Sequence, residues 1–381
     1  MAIDYLIPDM PSAEELLPFL HEIDQNRYYS NFGPLHRRFE AALCDRFFPY
    51  LTEPQVTLVA SGTAAIELAL RSLQLDAGSK VLVPVYTFPA TAQAVLNCGL
   101  KPVFADIDAD SFQLTPEKAS EIMFRQRIAA VLPVAVAGMP VNAKAWSAFS
   151  NELQIPVVVD AASALGNQSI ETELVYAFSL HATKAFGIGE GGLVVDARSE
   201  VTSLSTRTNF GFEDGQIVVQ GGNYKVSEYH CAVGLAQLGR FEQCLNTRQR
   251  IYQVYIELLK NASQWVAWQK NPCDVTPSNL MIYCKNVSAL EMHAALSNKG
   301  ITSRRLFWPL LCNHDFSFSD QRSLEFPVAQ NISEQWLSLP YHNFLSKTDI
   351  AFVIDSILDI NNKSTSGVVM AGGIEAKADT F

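Results

Sequence analysis

The seven cysteines of this chain (Cys44, Cys98, Cys231, Cys244, Cys273, Cys284 and Cys312) are odd in number, widely scattered, and include no Cys-x-x-Cys pair. That excludes a disulfide framework and gives no zinc-site pattern, so no metal is expected. Long apolar runs are missing as well: no stretch reaches the roughly 18 residues of a membrane span. The N-terminal Met-Ala-Ile-Asp-Tyr-Leu-Ile-Pro has neither the basic start nor the apolar run of a signal peptide. A cytoplasmic, reduced, soluble protein is therefore the expectation, with no membrane partner. Positive charge is in short supply, 28 Lys and Arg against 39 Asp and Glu for a net charge of −11. This argues against nucleic acid as a partner and requires any anionic ligand to have a locally built site. Neither a Gly-x-Gly-x-x-Gly turn nor a Gly-Lys-Ser/Thr loop follows the first strand pattern, which sets the common nucleotide-binding folds aside.

What is present is a 381-residue chain, 48% hydrophobic and 18% charged, long enough for one large domain and a smaller one. Residues 1–35 read as a Pro-rich, aromatic arm rather than a core element. A helical pattern follows at 35–48. Short β-branched runs then alternate with helical ones: strands are expected at Val56–Ala60, Lys80–Val85, Pro102–Asp106, Ala129–Val136, Ile155–Asp160, Val175–Leu180 and Gly192–Asp196. Most are nearly continuous in apolar residues, as parallel strands covered on both faces are. Helices are expected near 63–74, 88–98, 116–126 and 143–152, which gives an α/β sheet of about seven strands with its sites at their carboxyl ends. Residues 203–225 read as irregular and 227–260 as one or two helices. The expected division is 1–240 for the large domain, 241–360 for a smaller α+β domain, and 361–381 for a poorly ordered tail.

The polar motifs fall at the strand ends. Ala60-Ser61-Gly62-Thr63 turns from the first strand into a helix, where free backbone amides and the helix dipole favour a phosphate. Tyr86-Thr87-Phe88 offers aromatic faces to a flat ring. Asp160 ends a buried strand, where a carboxylate needs a positive partner or donors. Ser179-Leu180-His181-Ala182-Thr183-Lys184 brings a hydroxyl, an imidazole and a lysine that burial would push toward its nucleophilic neutral form. Each motif alone has an ordinary structural explanation as cap, core aromatic or loop residue. Together they are the set that pyridoxal 5'-phosphate requires: a phosphate cradle, a ring stack, an acid facing the pyridine nitrogen and a Schiff-base lysine.

The order Ser-Gly-Thr-Ala-Ala, Tyr-Thr-Phe-x-Ala-Thr, Pro-Val-Phe-Ala-Asp-Ile-Asp, Val-Asp-Ala-Ala, Ser-Leu-His-Ala-Thr-Lys, Gly-Glu-Gly-Gly, Gly-x-Asn-Tyr-Lys-x-Ser-Glu and Gly-Leu-Ala-Gln-Leu resembles the DegT/StrS family of sugar aminotransferases. The resemblance spans about residues 28–360 and continues through Gly-Ile-Thr-Ser-Arg-Arg-Leu-Phe-Trp-Pro-Leu and Leu-Ser-Leu-Pro. It implies a fold-type I PLP-transferase with a mostly parallel seven-stranded large domain and a smaller C-terminal α+β domain. It implies that Lys184 forms the Schiff base and carries the proton, that Asp160 pairs with the pyridinium and that Phe88 stacks on the ring. Gly62, Thr63 and Ser179 would bind the phosphate, joined by Asn223 from a second subunit, in a homodimer with shared active sites.

The implied reaction moves an amino group from glutamate to a keto group of a nucleotide-linked deoxysugar, with dTDP-4-keto-6-deoxyhexose the best expectation, for lipopolysaccharide O-antigen or a related glycan. Ser163 stands where family members often carry Gln or His against the cofactor's phenolic oxygen. Lys225 replaces an Arg, and Ala135 and Leu311 replace frequent histidines. His181, Lys225, Arg304 and Arg305 are candidate substrate contacts, the last three as clamps for a diphosphate or a carboxylate. Two other readings stay open: another fold-type I enzyme, such as an amino-acid aminotransferase or a sugar dehydratase, and a PLP-binding regulator without turnover. The intact Lys184 favours transamination over dehydration.

Overall fold

The computed structural model describes residues 2–51, 56–198, 204–261, 266–271, 275–314 and 325–365. Cys273 and most of the expected tail lie outside them. The chain opens with α1 (Ala13–Asn26) and α2 (Pro34–Phe47). Then come β1 (Val56–Val59), α3 (Gly62–Ser72), β2 (Lys80–Pro84), α4 (Pro89–Asn97), β3 (Lys101–Ala105), α5 (Pro116–Met123), β4 (Ala130–Val131), α6 (Ala143–Leu153) and β5 (Val158–Asp160). β6 (Val175–Ser179), β7 (Gly192–Asp196), α7 (Leu204–Thr208), the hairpin β8 (Phe212–Glu213) and β9 (Gln216–Ile217), and the long α8 (Glu228–Asn261) follow. The remainder is β10 (Val266–Trp268), β11 (Leu280–Cys284), α9 (Ala289–Asn298), α10 (Pro327–Gln335), β12 (Trp336–Leu339) and α11 (Lys347–Thr365).

Two hydrogen-bonded sets, β3-β2-β4 and β5-β6-β7-β1, meet through bridges from Val131 to Val157 and from Val134 to Asp160. The result is one sheet in the order β3-β2-β4-β5-β6-β7-β1. Neighbours are parallel except around β7, which runs antiparallel to both β6 and β1. The 180–191 connection lacks the crossover helix that a parallel return needs, so β7 comes back from the same edge at which β6 leaves. Alternate strand residues point to opposite cores. Leu58, Val159, Tyr176, Phe178 and Leu193 face α2, α6 and α8, whereas Val59, Val158, Ala177 and Val194 face α3 and α4. Both faces are thus covered, which is why the strands read as unbroken apolar runs.

Helix starts carry local signals. Ser61 caps α3 through its hydroxyl, Thr115 and Asn142 cap α5 and α6, and Pro stands in the first turn of α2, α4, α5 and α10. β10, β11 and β12 form a separate antiparallel sheet against which α9 packs, with α11 laid on α8 and α9. The expected boundary at 240/241 falls inside α8, which is continuous. Its Phe241 belongs to the large-domain core and its Ile251 to the small-domain core.

Two readings of the sequence need correction. Residues 1–35 are more than an arm: Ser12 and Glu15 form a capping box that starts α1, whose Ile23 is fully buried in the large core. Before α1, Ile3 bridges to Ile301 and the Tyr5 hydroxyl lies 3.0 Å from Ser338 Oγ, so the first residues belong with the small domain. Residues 203–225, read as irregular, contain α7 and the β8–β9 hairpin.

α2 begins at a long-range cap. The buried Glu228 carboxylate, at the start of α8, accepts the Leu35 amide at 2.9 Å and the His36 amide at 2.7 Å. The His36 ring behind it is buried, and burial, aided by the nearby Arg37 charge, pushes its pKa from 6.5 down to about 4. The unfolded chain therefore takes up this proton first. The stabilisation from a neutral His36 is complete above about pH 6.5 and is lost as the pH falls toward 4, up to on the order of 3 kcal/mol. Urea denaturation of wild type and of His36→Gln from neutral pH to about pH 4 checks this: the variant should lose less stability over that interval.

Candidate active site

Register places the site. Val59 pairs with Gly192, and Gly192 pairs with Ser179, so the ends of β1 and β6 flank the start of β7. A Cβ on Gly192 would sit 2.2 Å from the Ser61 carbonyl oxygen, and one on Gly62 would sit 2.7 Å from the Ser179 Cβ. Only glycine allows these approaches. The amides of Gly62 and Thr63, in the first turn of α3, have no intrahelical acceptors, whereas that of Ala64 is capped by Ser61 Oγ at 3.1 Å. The Ser179 hydroxyl accepts the His181 amide at 3.3 Å. A concave set of donors at a helix N-terminus is the result, closed at the positions where a side chain would otherwise fill it.

Asp160 ends β5 and is 4% exposed. Its carboxylate accepts from the Thr91 hydroxyl at 2.7 Å and from the Ala162 amide at 3.1 Å. Burial pushes its pKa up, and Thr91, Ala162 and the Lys184 charge pull it back. Lys184 lies in the 180–191 connection and donates to Ser163 Oγ at 2.9 Å. Its pKa moves the other way: burial lowers it and the Asp160 charge opposes that. Phe186, two residues on, is clasped by Phe39, Phe47 and Phe241, with ring centroids 6.3, 5.9 and 5.3 Å away, which ties the lysine turn to α2 and α8.

Phe88 is the N-cap of α4, and the residue is 47% exposed, as an aromatic surface for a ligand must be. Gly62, Thr63, Ser179, Asp160, Ser163 and Lys184 thus come together at one edge of the sheet. The other candidates stand apart from this set. His181 turns to Thr183 Oγ1 at 2.8 Å and to Glu190 at 3.5 Å. Asn223 pairs with Asn209, and Lys225 lies 4.2 Å over the Phe210 ring and donates to Asn209 at 3.2 Å. Arg304 lies over Tyr5 and Arg305 over Trp308, 4.9 and 3.6 Å from the ring centroids. Among the described residues no group of His, Cys, Asp or Glu could hold a metal ion.

The residues suit pyridoxal 5'-phosphate: an anion cradle that a Cβ would fill, a buried acid with one donor on each oxygen, and a desolvated lysine. The matches to known proteins agree. The chain belongs to the DegT/DnrJ/EryC1/StrS aminotransferase family. The family model covers residues 12–358. The chain is similar to Protein Rv3402c of Mycobacterium tuberculosis H37Rv, with 30% identity over 93% of this chain and 89% of that one. It is similar to the dTDP-4-amino-4,6-dideoxy-D-glucose transaminase of Shigella dysenteriae, with 29% identity over 93% and 97%. Its fold matches a Bacillus cereus protein assigned as a PLP-dependent aminotransferase, at TM-score 0.85 and 28% identity over 94% of this chain and 100% of that one. This family member is an aminotransferase, and its cofactor is pyridoxal phosphate.

Sequence reasoning missed Thr91 and Thr87, whose hydroxyls are 2.8 Å apart and pass a hydrogen bond on to Asp160. The signal was a threonine in the first turn of α4, aimed at a neighbouring strand end that only the sheet order identifies. Ser163 also has a partner that the sequence did not name, Lys184. Since Thr91 holds down the Asp160 pKa, Thr91→Val should raise it. The acid limb of the amino-donor half-reaction should then move to higher pH by about one unit, as expected for losing one hydrogen bond to a charge. Thr91→Ser should leave the limb in place; stopped-flow absorbance across pH reads both.

Proposed function

We propose that this aminotransferase moves an amino group from glutamate to the keto group of a nucleotide-linked deoxysugar, most favourably a dTDP-4-keto-6-deoxyhexose. The observation that carries the reading is the Lys184 amine, desolvated and held on Ser163, at the strand ends where Asp160 and the Gly62 cradle also converge. The name of the Shigella relative, a dTDP-4-amino-4,6-dideoxy-D-glucose transaminase, supports the sugar class, the nucleotide and the carbon.

When bound, pyridoxal phosphate supplies an electron sink for the carbon that gains or loses the amine. The Gly62 and Thr63 amides and the Ser179 hydroxyl bind the phosphate, helped by the dipole of α3. Asp160, ionised through Thr91 and Ala162, keeps the ring nitrogen protonated. Phe88 covers one ring face. Ser163 aims the Lys184 amine, which takes a proton from the substrate carbon and returns it in the other half of the cycle; burial keeps enough of it neutral to do so. His181, Lys225, Arg304 and Arg305 are engaged outside this set and would reach a sugar nucleotide only by changing partners.

Two copies share the sites in this reading, with Asn223 completing the phosphate cradle of the partner subunit. Exposed aromatic and aliphatic groups support the pairing: Tyr28, Tyr29 and Tyr229, and on the β8–β9 hairpin Phe212, Ile217 and Val218. Such surface on a protein of this composition marks a contact face.

Purified enzyme should be yellow, lose its long-wavelength band with glutamate and regain it with a dTDP-4-keto-6-deoxyhexose. Lys184→Ala should bind cofactor without either change. Recovery with a simple keto acid but with no keto-sugar nucleotide would replace the sugar reading by an amino-acid aminotransferase. Mixing inactive Lys184→Ala with inactive Asn223→Ala subunits should restore up to about one site per mixed dimer if sites are shared. Absence of any recovery would place Asn223 in the site of its own chain.

A further inference from the structure

A crevice opens behind the lysine turn. It runs between residues 6–9 before α1, the Ala182–Ala185 turn and one face of α8, and ends at His342 and Asn343. Two basic side chains line it, Lys184 and Arg248. Arg248, on α8, is not among the residues that the sequence pointed to. One of its amino groups donates to the Ser278 carbonyl, and its guanidinium carbon lies over the Tyr341 ring, 4.1 Å from the centroid. Its Nε–H is buried and has no hydrogen-bond partner. Among the described residues no carboxylate pairs with it. The nearest acid in the crevice, Asp9, is taken by Arg240 at 2.7 Å and by Asn343 at 2.7 Å. His342 is engaged as well, by the Asp4 carbonyl and the Phe344 amide.

The mounting of this arginine touches that of the lysine. A Cβ added to Gly138 would lie 2.7 Å from both the Ser163 carbonyl oxygen and the Ser278 nitrogen. Ser163, which holds the Lys184 amine, and Ser278, which holds the Arg248 guanidinium, therefore abut the same point of the backbone. A guanidinium whose Nε–H is buried and unspent, with no counter-charge, is costly unless a ligand supplies the anion. Its planar fork suits a carboxylate. A diphosphate would call for a second cation, and the second cation here is the lysine that the chemistry needs neutral.

We infer that Arg248 anchors the carboxylate of the amino donor in this crevice, with the donor's amine directed at the Lys184 turn. This rests on the donor being an amino acid. Arg248 is then a specificity residue for the donor half of the reaction and leaves the sugar half alone. Burial also lowers the guanidinium pKa, with the Tyr341 and Tyr5 hydroxyls opposing, which is the condition that an incoming carboxylate would relieve.

The test uses wild-type, Arg248→Lys and Arg248→Gln holoenzyme. In single turnovers, the glutamate concentration that half-saturates loss of the long-wavelength band should rise about 10- to 100-fold in Arg248→Gln and less in Arg248→Lys. Half-saturation by the keto-sugar nucleotide in the return half should stay within about twofold. Titration calorimetry should show glutarate, a dicarboxylate without the amine, binding wild type and not Arg248→Gln. Unchanged glutamate dependence in either folded variant overturns the inference, as does an equal loss in both halves, which would make Arg248 structural. A loss confined to the sugar nucleotide assigns the arginine to the diphosphate instead and also overturns it. Wild type that responds to no amino acid defeats the donor reading itself, an outcome distinct from a null result in the variants.

Discussion

The site depends on one close approach. Gly192 opens β7 directly beside the Ser61 carbonyl, with no room for a Cβ. Because β7 is inserted antiparallel between β6 and β1, that approach aligns Val59, Gly192 and Ser179 across three strands. The phosphate turn at the head of α3, the Ser179 hydroxyl and the lysine connection are fixed relative to one another first by the backbone pairing of these strands. A parallel β7 would need a crossover helix in place of the 180–191 connection, and Lys184 would leave the strand ends.

Burial then sets the chemistry. The same desolvation that pushes the Lys184 amine toward its neutral form pushes the Asp160 carboxylate toward its own, and each charge partly restores the other. Groups displaced in opposite directions within one site can divide acid and base roles between them. Thr91 and the Ala162 amide tip Asp160 back toward the ionised state, and Ser163 gives the amine a direction. The Phe186 clasp keeps the turn from relaxing into solvent, since freeing it would expose a ring packed against three others.

Segments far along the chain return to the large-domain core. Asp106, just past β3, accepts the amides of Val328 and Ala329 at the start of α10 at 3.0 and 2.9 Å. Leu310 and Leu311 pack into the large-domain core, and Ile3 and Tyr5 of the N-terminal segment join the small domain. Both domains therefore include elements far apart in sequence, among them the first ten residues. Arg248 and Arg304 meet through those residues, since both charges bear on Tyr5.

The sequence by itself determined the layered α/β class, most strand and helix positions, and the polar residues gathered at the strand ends, because unbroken apolar runs, Pro and Ser starts, and polar strand ends are local signals. It also carried the family resemblance. Helix α1 was hidden by surrounding prolines, although its Ser12–Glu15 capping box was there to be read. Only the tertiary structure decided that β7 runs backwards, that Thr91 reaches Asp160, that Ser163 serves Lys184, and that Arg248 shares a crevice with the lysine. Each of these joins residues from different elements. Strand order and helix facing, which bring them together, are set by long-range burial, and local propensity does not encode it.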